Sequence, residues 1–199
     1  MELYEKEYKN LVKFNPDSIQ TTLNNSGYGF ARGVDVFWRD NKVTFKNMDY
    51  WISYSFIITK RNYLSYPVLA TPTFAPQHNL SVVYKYNVRK IKTHFGFTYT
   101  YASGRPYYNP NLPELEFNSQ LTPEFHNLSI GVSKYGFIKE KHFYVIYASV
   151  NNVMNRSNIF GYKYSSDGIN RIEVQPAALR SFFIGAFISI DRSGKKAGK

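Results

Sequence analysis

At 199 residues without cysteine, the chain is long enough for one domain and excludes a disulfide framework or a thiolate metal site. Aromatic residues make up 18% of it, 18 Tyr and 16 Phe, which excludes a disordered chain. The formal charge of +11 raises nucleic acid as a partner. No run approaches the ~18 apolar residues of a membrane-spanning helix, but a membrane barrel, whose outward residues only alternate, needs none.

The alternation predicts eight strands. The first, over about 2–13, is weakly patterned, and its start, MELYEKEYKN, carries charge where a signal peptide has an apolar core. Over 31–39, Val34, Val36 and Trp38 alternate with Gly33, Asp35, Phe37 and Arg39. Over 49–59, Tyr50, Ile52, Tyr54, Phe56 and Ile58 alternate with Trp51, Ser53, Ser55, Ile57 and Thr59. Over 78–88 the apolar set is Leu80, Val82, Tyr84 and Tyr86, and over 92–102 it is Phe95, Phe97, Tyr99 and Tyr101. Leu128, Ile130 and Val132 follow over 126–134, and Tyr144, Ile146, Ala148 and Val150 over 143–151. The last strand, 181–190, sets Phe182, Ile184, Ala186, Ile188 and Ile190 on one face. This period of two is the strand signature. Ordinary strands average about 5–6 residues, whereas tilted membrane strands need about 9–11. The predicted lengths match the second class. Val34, Val36, Trp38, Ile52, Tyr54, Phe56, Leu80, Val82, Tyr84, Phe95, Phe97, Tyr99, Leu128, Ile130, Ile146, Ile184 and Ile188 are therefore expected to face lipid.

The connections alternate too. Those near 40–47, 88–91 and 135–141 are short; those near 14–28, 60–77, 103–124 and 152–179 are long, with Pro, Gly and Asn. Short turns at one end and long loops at the other are the mark of an outer-membrane barrel. Windows 39–46, 85–92, 134–141 and 191–199 hold 14 Lys and Arg against 3 Asp and Glu, so the short-turn end carries the whole excess of charge. A nucleic-acid binder concentrates charge along a groove or face, and a base-stacking protein sets it beside exposed rings. A basic rim instead suits anionic headgroups, at ~1 kcal/mol per Lys or Arg. Residues 191–199 lose the alternation and are expected to be a disordered basic tail.

Motifs for chemistry are poor. GYGFARG (27–33) departs from the dinucleotide fingerprint, because its third Gly is one place late and a strand follows. Gly29 and Gly33 are expected at a strand start and on a crowded inner face. Asp35 and His94 fall on polar faces without a spacing that pairs them. Glu114, Glu116 and Glu124 lack the spacing of a calcium loop. No catalytic residue, cofactor site or metal site is expected. The loop tips are richer: Arg61 and Tyr63, then Arg105, Tyr107 and Tyr108, then Tyr162, Tyr164, Asp167 and Arg171 lie beyond strand ends on the long-loop side. Tyr and Arg dominate binding hot spots, so these are the ligand candidates; an interfacial aromatic girdle is the competing reading. In YASGRPYYNP, Gly104, Arg105 and Pro106 are expected to turn the chain so that Tyr107 and Tyr108 stand clear of the wall.

Taken in order, ARGVDVFWRD, MDYWISYSFIITKRNY, HNLSVVYKY, YTYASGRPYYNP, ASVNNVMN with FGYKYS, and RSFFIGAFISI resemble the C-terminal barrel strands of TonB-dependent outer-membrane receptors of the Bacteroidetes type. The resemblance runs over about residues 2–190. It implies an antiparallel up-and-down transmembrane barrel, of which these eight strands are the C-terminal part of a 22-stranded whole. It also implies import of a scarce nutrient such as a siderophore, vitamin or glycan across a Gram-negative outer membrane. The implied partners are outer-membrane lipid, the remaining N-terminal strands and plug domain of the receptor, the TonB complex through that plug, and a surface lipoprotein. Nucleic acid is not among them. The chain departs from the family in lacking plug, TonB-binding segment and signal peptide, so it reads as a fragment that is not an enzyme and does not transport alone. The alternative is a stand-alone eight-stranded barrel with a structural or adhesive role, closed around its own side chains.

Overall fold

The computed structural model describes residues 1–14, 23–41 and 43–190. Twelve strands run in chain order: β1 Glu2–Phe14, β2 Leu23–Asn41, β3 Met48–Asn62, β4 His78–Val88, β5 Thr93–Ala102, β6 Pro106–Tyr107, β7 Gln120–Leu121, β8 Phe125–Ile138, β9 His142–Asn151, β10 Gly161–Tyr164, β11 Arg171–Val174 and β12 Ser181–Ser189. Eight form one sheet in the order β1-β2-β3-β4-β5-β8-β9-β12, and β6-β7 and β10-β11 are small hairpins in the loops. Every neighbour in the large sheet is antiparallel and adjacent along the wall. Among the described residues no pair joins β1 to β12, so both are edges.

The turns follow local chemistry. The Asp40 carboxylate accepts from the backbone N–H of Val43 at 2.9 Å and of Thr44 at 3.2 Å, which folds the chain back after β2. Lys139 and Glu140, at φ 51 and 58, make the tight reversal between β8 and β9.

Register places the two faces. Tyr50, Tyr84, Phe97, Ile130, Val150 and Phe182 form one continuous row across six strands. Trp38, Ile52, Val82, Tyr99 and Leu128 form the next but one. All seventeen residues expected to face lipid share this side of the sheet. The other side reads Arg39, Trp51, Val83, Thr98, Ser129 in one row and Asp35, Ser55, Asn79, Ala102, Phe125 in another. That face carries a groove of about 720 Å³ whose lining includes Asn87, His94, Thr98, Ser129 and Ser149.

The wall has almost no core. The buried hydrophobic residues among those described are Ala31, Ala70, Ala75, Ala102 and Tyr107, while Ile130 is 46% and Ile184 81% exposed. The accessible surface is 13774 Å², against about 9,700 Å² for a compact chain of this mass. A water-soluble domain draws its stability from buried apolar area. This sheet keeps its apolar face outward, as a wall solvated by lipid does.

The strand ends are staggered. Met48, at the start of β3, lies in the same row as Tyr86, Phe95, Val132 and Ala148. By β9 the short-turn end, His142, lies six residues beyond that row. Six residues of ~3.3 Å over four strand spacings of ~4.8 Å give a tilt of about 45°, the slope of a membrane barrel. The stagger also explains Lys134, which faces outward opposite Ile146. Its neighbour Thr93 already begins β5 at that row, so Lys134 lies level with the short-turn end of β5.

Two expectations change. The second strand begins at Leu23 rather than 31, so GYGFARG lies wholly inside β2 and the connection expected over 14–28 shrinks to the segment between Phe14 and Leu23. Gly29 and Gly33 are thus strand-interior residues on the inner face. A Cβ on Gly33 would meet the Tyr4 ring and lie 2.6 Å from the Phe56 carbonyl oxygen. β1 pairs with β2 only from Asp35 outward, at Glu2. Its outward residues include Glu5, which pairs with Arg32 at 2.8 Å, and Glu7, so β1 is the charged, long-loop end of its position in the wall. The expected tail, 191–199, lies outside the described residues.

Candidate functional site

The long loops fold into a packed layer at one end of the wall. Loop 103–124 is closed at its base by two bonds, Arg105 N–H to Thr122 Oγ1 and Thr122 N–H to the Arg105 carbonyl, both 2.9 Å. Between these lies Gly104, whose added Cβ would collide with the Thr122 carbonyl oxygen; only glycine admits that approach. Asn118, at φ 56 and buried, donates to the Thr71 carbonyl at 3.1 Å and ties this loop to the previous one. Asn152, at φ 51 and buried, donates to the carbonyls of Arg156 at 2.8 Å and Leu179 at 2.5 Å, which closes loop 152–180. Asn158 exchanges two bonds with the His126 backbone at 3.1 and 2.9 Å.

Two aromatic clusters use the sequence candidates. In the first, Tyr63 meets Tyr66 at 4.8 Å, Tyr66 meets Phe117 at 4.7 Å, and Phe117 meets Tyr108 at 5.2 Å. Arg61 joins it from the strand: its guanidinium lies 4.3 Å over Tyr8 and 5.8 Å from Tyr63. Arg61 was expected in a loop and is instead inside β3, bridged to Ala70. Burial, and Tyr63 next to it, push the Tyr66 phenol up to about 12.

The second cluster is built on the β10–β11 hairpin. Cross-strand pairing sets Tyr164 opposite Arg171 and Tyr162 opposite Glu173, so all four share one face. That face meets β6. Tyr107 packs on Tyr162 at 4.6 Å, and Arg171 lies 4.1 Å over the Tyr162 ring while donating from Nη1 to the Tyr107 hydroxyl at 3.3 Å. Asn111 pins the hairpin tip through the Gly168 carbonyl at 2.9 Å. Tyr107 is therefore buried, at 7% exposure, and does not stand clear of the wall; Tyr108 does, at 49%. Arg105 lies over Phe160 at 5.5 Å. Asp167 caps its own turn: the Ser165 hydroxyl and then the Ile169 N–H donate to its carboxylate and hold it below the usual range.

Other sequence candidates are dispersed. Asp35 and His94 face the same side, but the row of Asp35 meets β5 at Ala102, eight residues from His94. Glu124 is engaged by the Tyr101 hydroxyl at 2.9 Å and stands 3.5 Å from His126, away from Glu114 and Glu116. Tyr99 and Tyr54 each share a bond of 2.8 Å with a histidine, His126 and His78, at the outward long-loop border. Arg39 grips Asp49 through two bonds, 3.1 and 2.9 Å, and Arg39 and Lys85 both lie over Trp51, at 5.4 and 4.9 Å. Sequence reasoning missed Tyr66, Phe117, Asn118 and Asn152. The Asn signal was available in NNVMN, since Asn tolerates the left-handed region.

No protein-family model matches the sequence, and no curated protein matches it. The structure resembles two solved Escherichia coli proteins. One is the ferric-catecholate import receptor Fiu of strain K12 in its closed form, at 13% identity and TM-score 0.61, over 92% of this chain and 24% of that one. The other is the outer membrane transporter YddB, at 12% identity and TM-score 0.67, over 92% of this chain and 29% of that one. The chain thus spans about a quarter of the length of these structures, and identities so low show fold alone. It has the fold of a stretch of outer-membrane transporter barrel, antiparallel and up-and-down throughout.

Proposed function

We propose that the chain is part of the wall of a TonB-dependent outer-membrane receptor of the Bacteroidetes type, seated in a Gram-negative outer membrane. The continuous apolar outward face on strands tilted by about 45° carries this reading. In it, the long loops capture a scarce nutrient, such as a siderophore, vitamin or glycan, and the polar inner face meets a plug. Lipid, the remaining barrel strands, the plug, TonB through the plug, and a surface lipoprotein are the partners. The chain is not an enzyme and does not transport alone.

The absence of cysteine makes the test direct. Single cysteines are placed at Ile130, Ser129, Tyr108 and Lys90 of the full chain in outer membranes and probed with a water-soluble maleimide. Ser129→Cys should label after permeabilisation and Ile130→Cys should not. Tyr108→Cys should label on intact cells and Lys90→Cys only after permeabilisation. Equal labelling of Ile130→Cys and Ser129→Cys would sink the reading. The stand-alone closed barrel would instead yield a disulfide within one chain between cysteines placed on β1 and β12.

A further inference from the structure

We infer that Arg171, with Tyr107 and Tyr164, forms a receptor site for an oxyanion group, carboxylate or phosphate, on the captured ligand; this rests on the receptor reading above. Arg171 is exposed, and among the described residues its guanidinium forms no ion pair with a carboxylate. Its polar partner is the Tyr107 hydroxyl, and Tyr164 stands opposite it across the hairpin. Glu173, on the same hairpin face, accepts from Gln175 instead.

A guanidinium offers five N–H donors and no acceptor. The Tyr107 hydroxyl accepts from Arg171, and its own proton lies beside Tyr164. Tyr107 holds that proton firmly: burial and the neighbouring Tyr164 raise its ionisation above the usual phenol range. Of the guanidinium donors, one has a side-chain acceptor among the described residues, the Tyr107 hydroxyl, and the others remain for a ligand. Stacking on Tyr162 fixes the plane of the guanidinium, and a fixed fork matches the two oxygens of a carboxylate or phosphate. The site is also held from behind, by Asn111 on Gly168 and by the buried Tyr107, so it is pre-organised rather than assembled around the ligand.

The full chain is refolded into an uncharged maltoside detergent, which removes lipid phosphate as a competitor. Binding is read by calorimetry in every variant, and in the unsubstituted chain also by the Arg171 Nε–H resonance, while citrate, inorganic phosphate or sucrose is added. Citrate or phosphate should shift it saturably and sucrose should not; whichever anion binds tighter identifies the oxyanion. Arg171→Gln should weaken binding about tenfold to a hundredfold, the scale of lost charge-assisted bonds. Arg171→Lys keeps the charge but loses the fork and should also weaken it. Tyr107→Phe and Tyr164→Phe should each cost a few-fold. An Arg171 signal unmoved by both anions, an equal response to sucrose, or unchanged affinity in Arg171→Gln overturns the site. If Ile130→Cys stays shielded while Arg171 ignores both anions, the receptor reading survives without the site. If Ile130→Cys is open to water, the receptor reading falls and the site falls with it.

Discussion

A charge placed on one side of β5 should unseat the wall, and the same charge one residue further should not. Phe97 is the fifth of ten residues in β5, on the outward row between Tyr84 and Ile130. Four residues at a 45° slope put it about 10 Å above the short-turn end, close to the middle of the apolar layer. A lysine there should cost about 2–4 kcal/mol. Phe97 also stacks on Tyr84, with ring centroids 5.2 Å apart, and losing that contact adds about 0.5–1.5 kcal/mol. Phe97→Lys should thus lower stability by about 2.5–5.5 kcal/mol, roughly two to four orders of magnitude in the folding equilibrium. Thr98 points to the inner face between Val83 and Ser129, where a lysine reaches water, so Thr98→Lys should stay within about 0.5 kcal/mol. Reversible urea unfolding from phospholipid vesicles reads both. Equal midpoints for the two variants would refute the assignment of faces.

The loop layer is open to similar tests. Gly104→Ala should push the Thr122 carbonyl away and cost about 1–3 kcal/mol locally; proteolysis within 108–119 should accelerate while the strand signal in circular dichroism stays unchanged. Asn152→Ala removes the bonds to Arg156 and Leu179 and leaves a β-carbon at φ 51, a combined loss of about 2–3 kcal/mol; hydrogen exchange at the Arg156 amide should speed up. The Tyr66 phenol, raised to about 12, favours the neutral form in the folded loops. Its contribution is complete below pH ~10, where an unfolded tyrosine begins to ionise, and is lost as pH rises towards 12. An alkaline titration of tyrosinate absorbance should lose one late-titrating group in Tyr66→Phe.

The wall was legible because each outward residue repeats the same instruction. Phe97, Tyr99 and Tyr101 alternate with Thr98 and Thr100, and register then carries that alternation across six strands. Ends were less legible. β2 extends upstream to Leu23 through glycines and polar residues, which carry no alternation and are held by pairing with β1. β6, β7, β10 and β11 are two to four residues long, too short for periodicity to register. At the candidate site, composition marked Arg171 and Tyr107 as binding residues, but not that one would be buried beneath the other. That arrangement depends on Tyr107 and Arg171 meeting across 64 residues of sequence, a contact no local pattern encodes. Arg61 failed for a related reason: its strand outlasts its apolar stripe.

The tilt has a further meaning as a width. A strand leaning at 45° takes up about 7 Å of perimeter rather than 4.8 Å, so the eight strands lay down about 55 Å of wall. Bent into a complete ring, that length would enclose a circle only about 17 Å across between backbones. Trp51, Tyr147, Phe37 and Arg39 all point to its inner side and would compete for the same narrow space. Held as an arc, the same sheet keeps its polar groove open and its curvature gentle. The slope of the strands is thus also a statement of how much enclosure this chain can supply by itself.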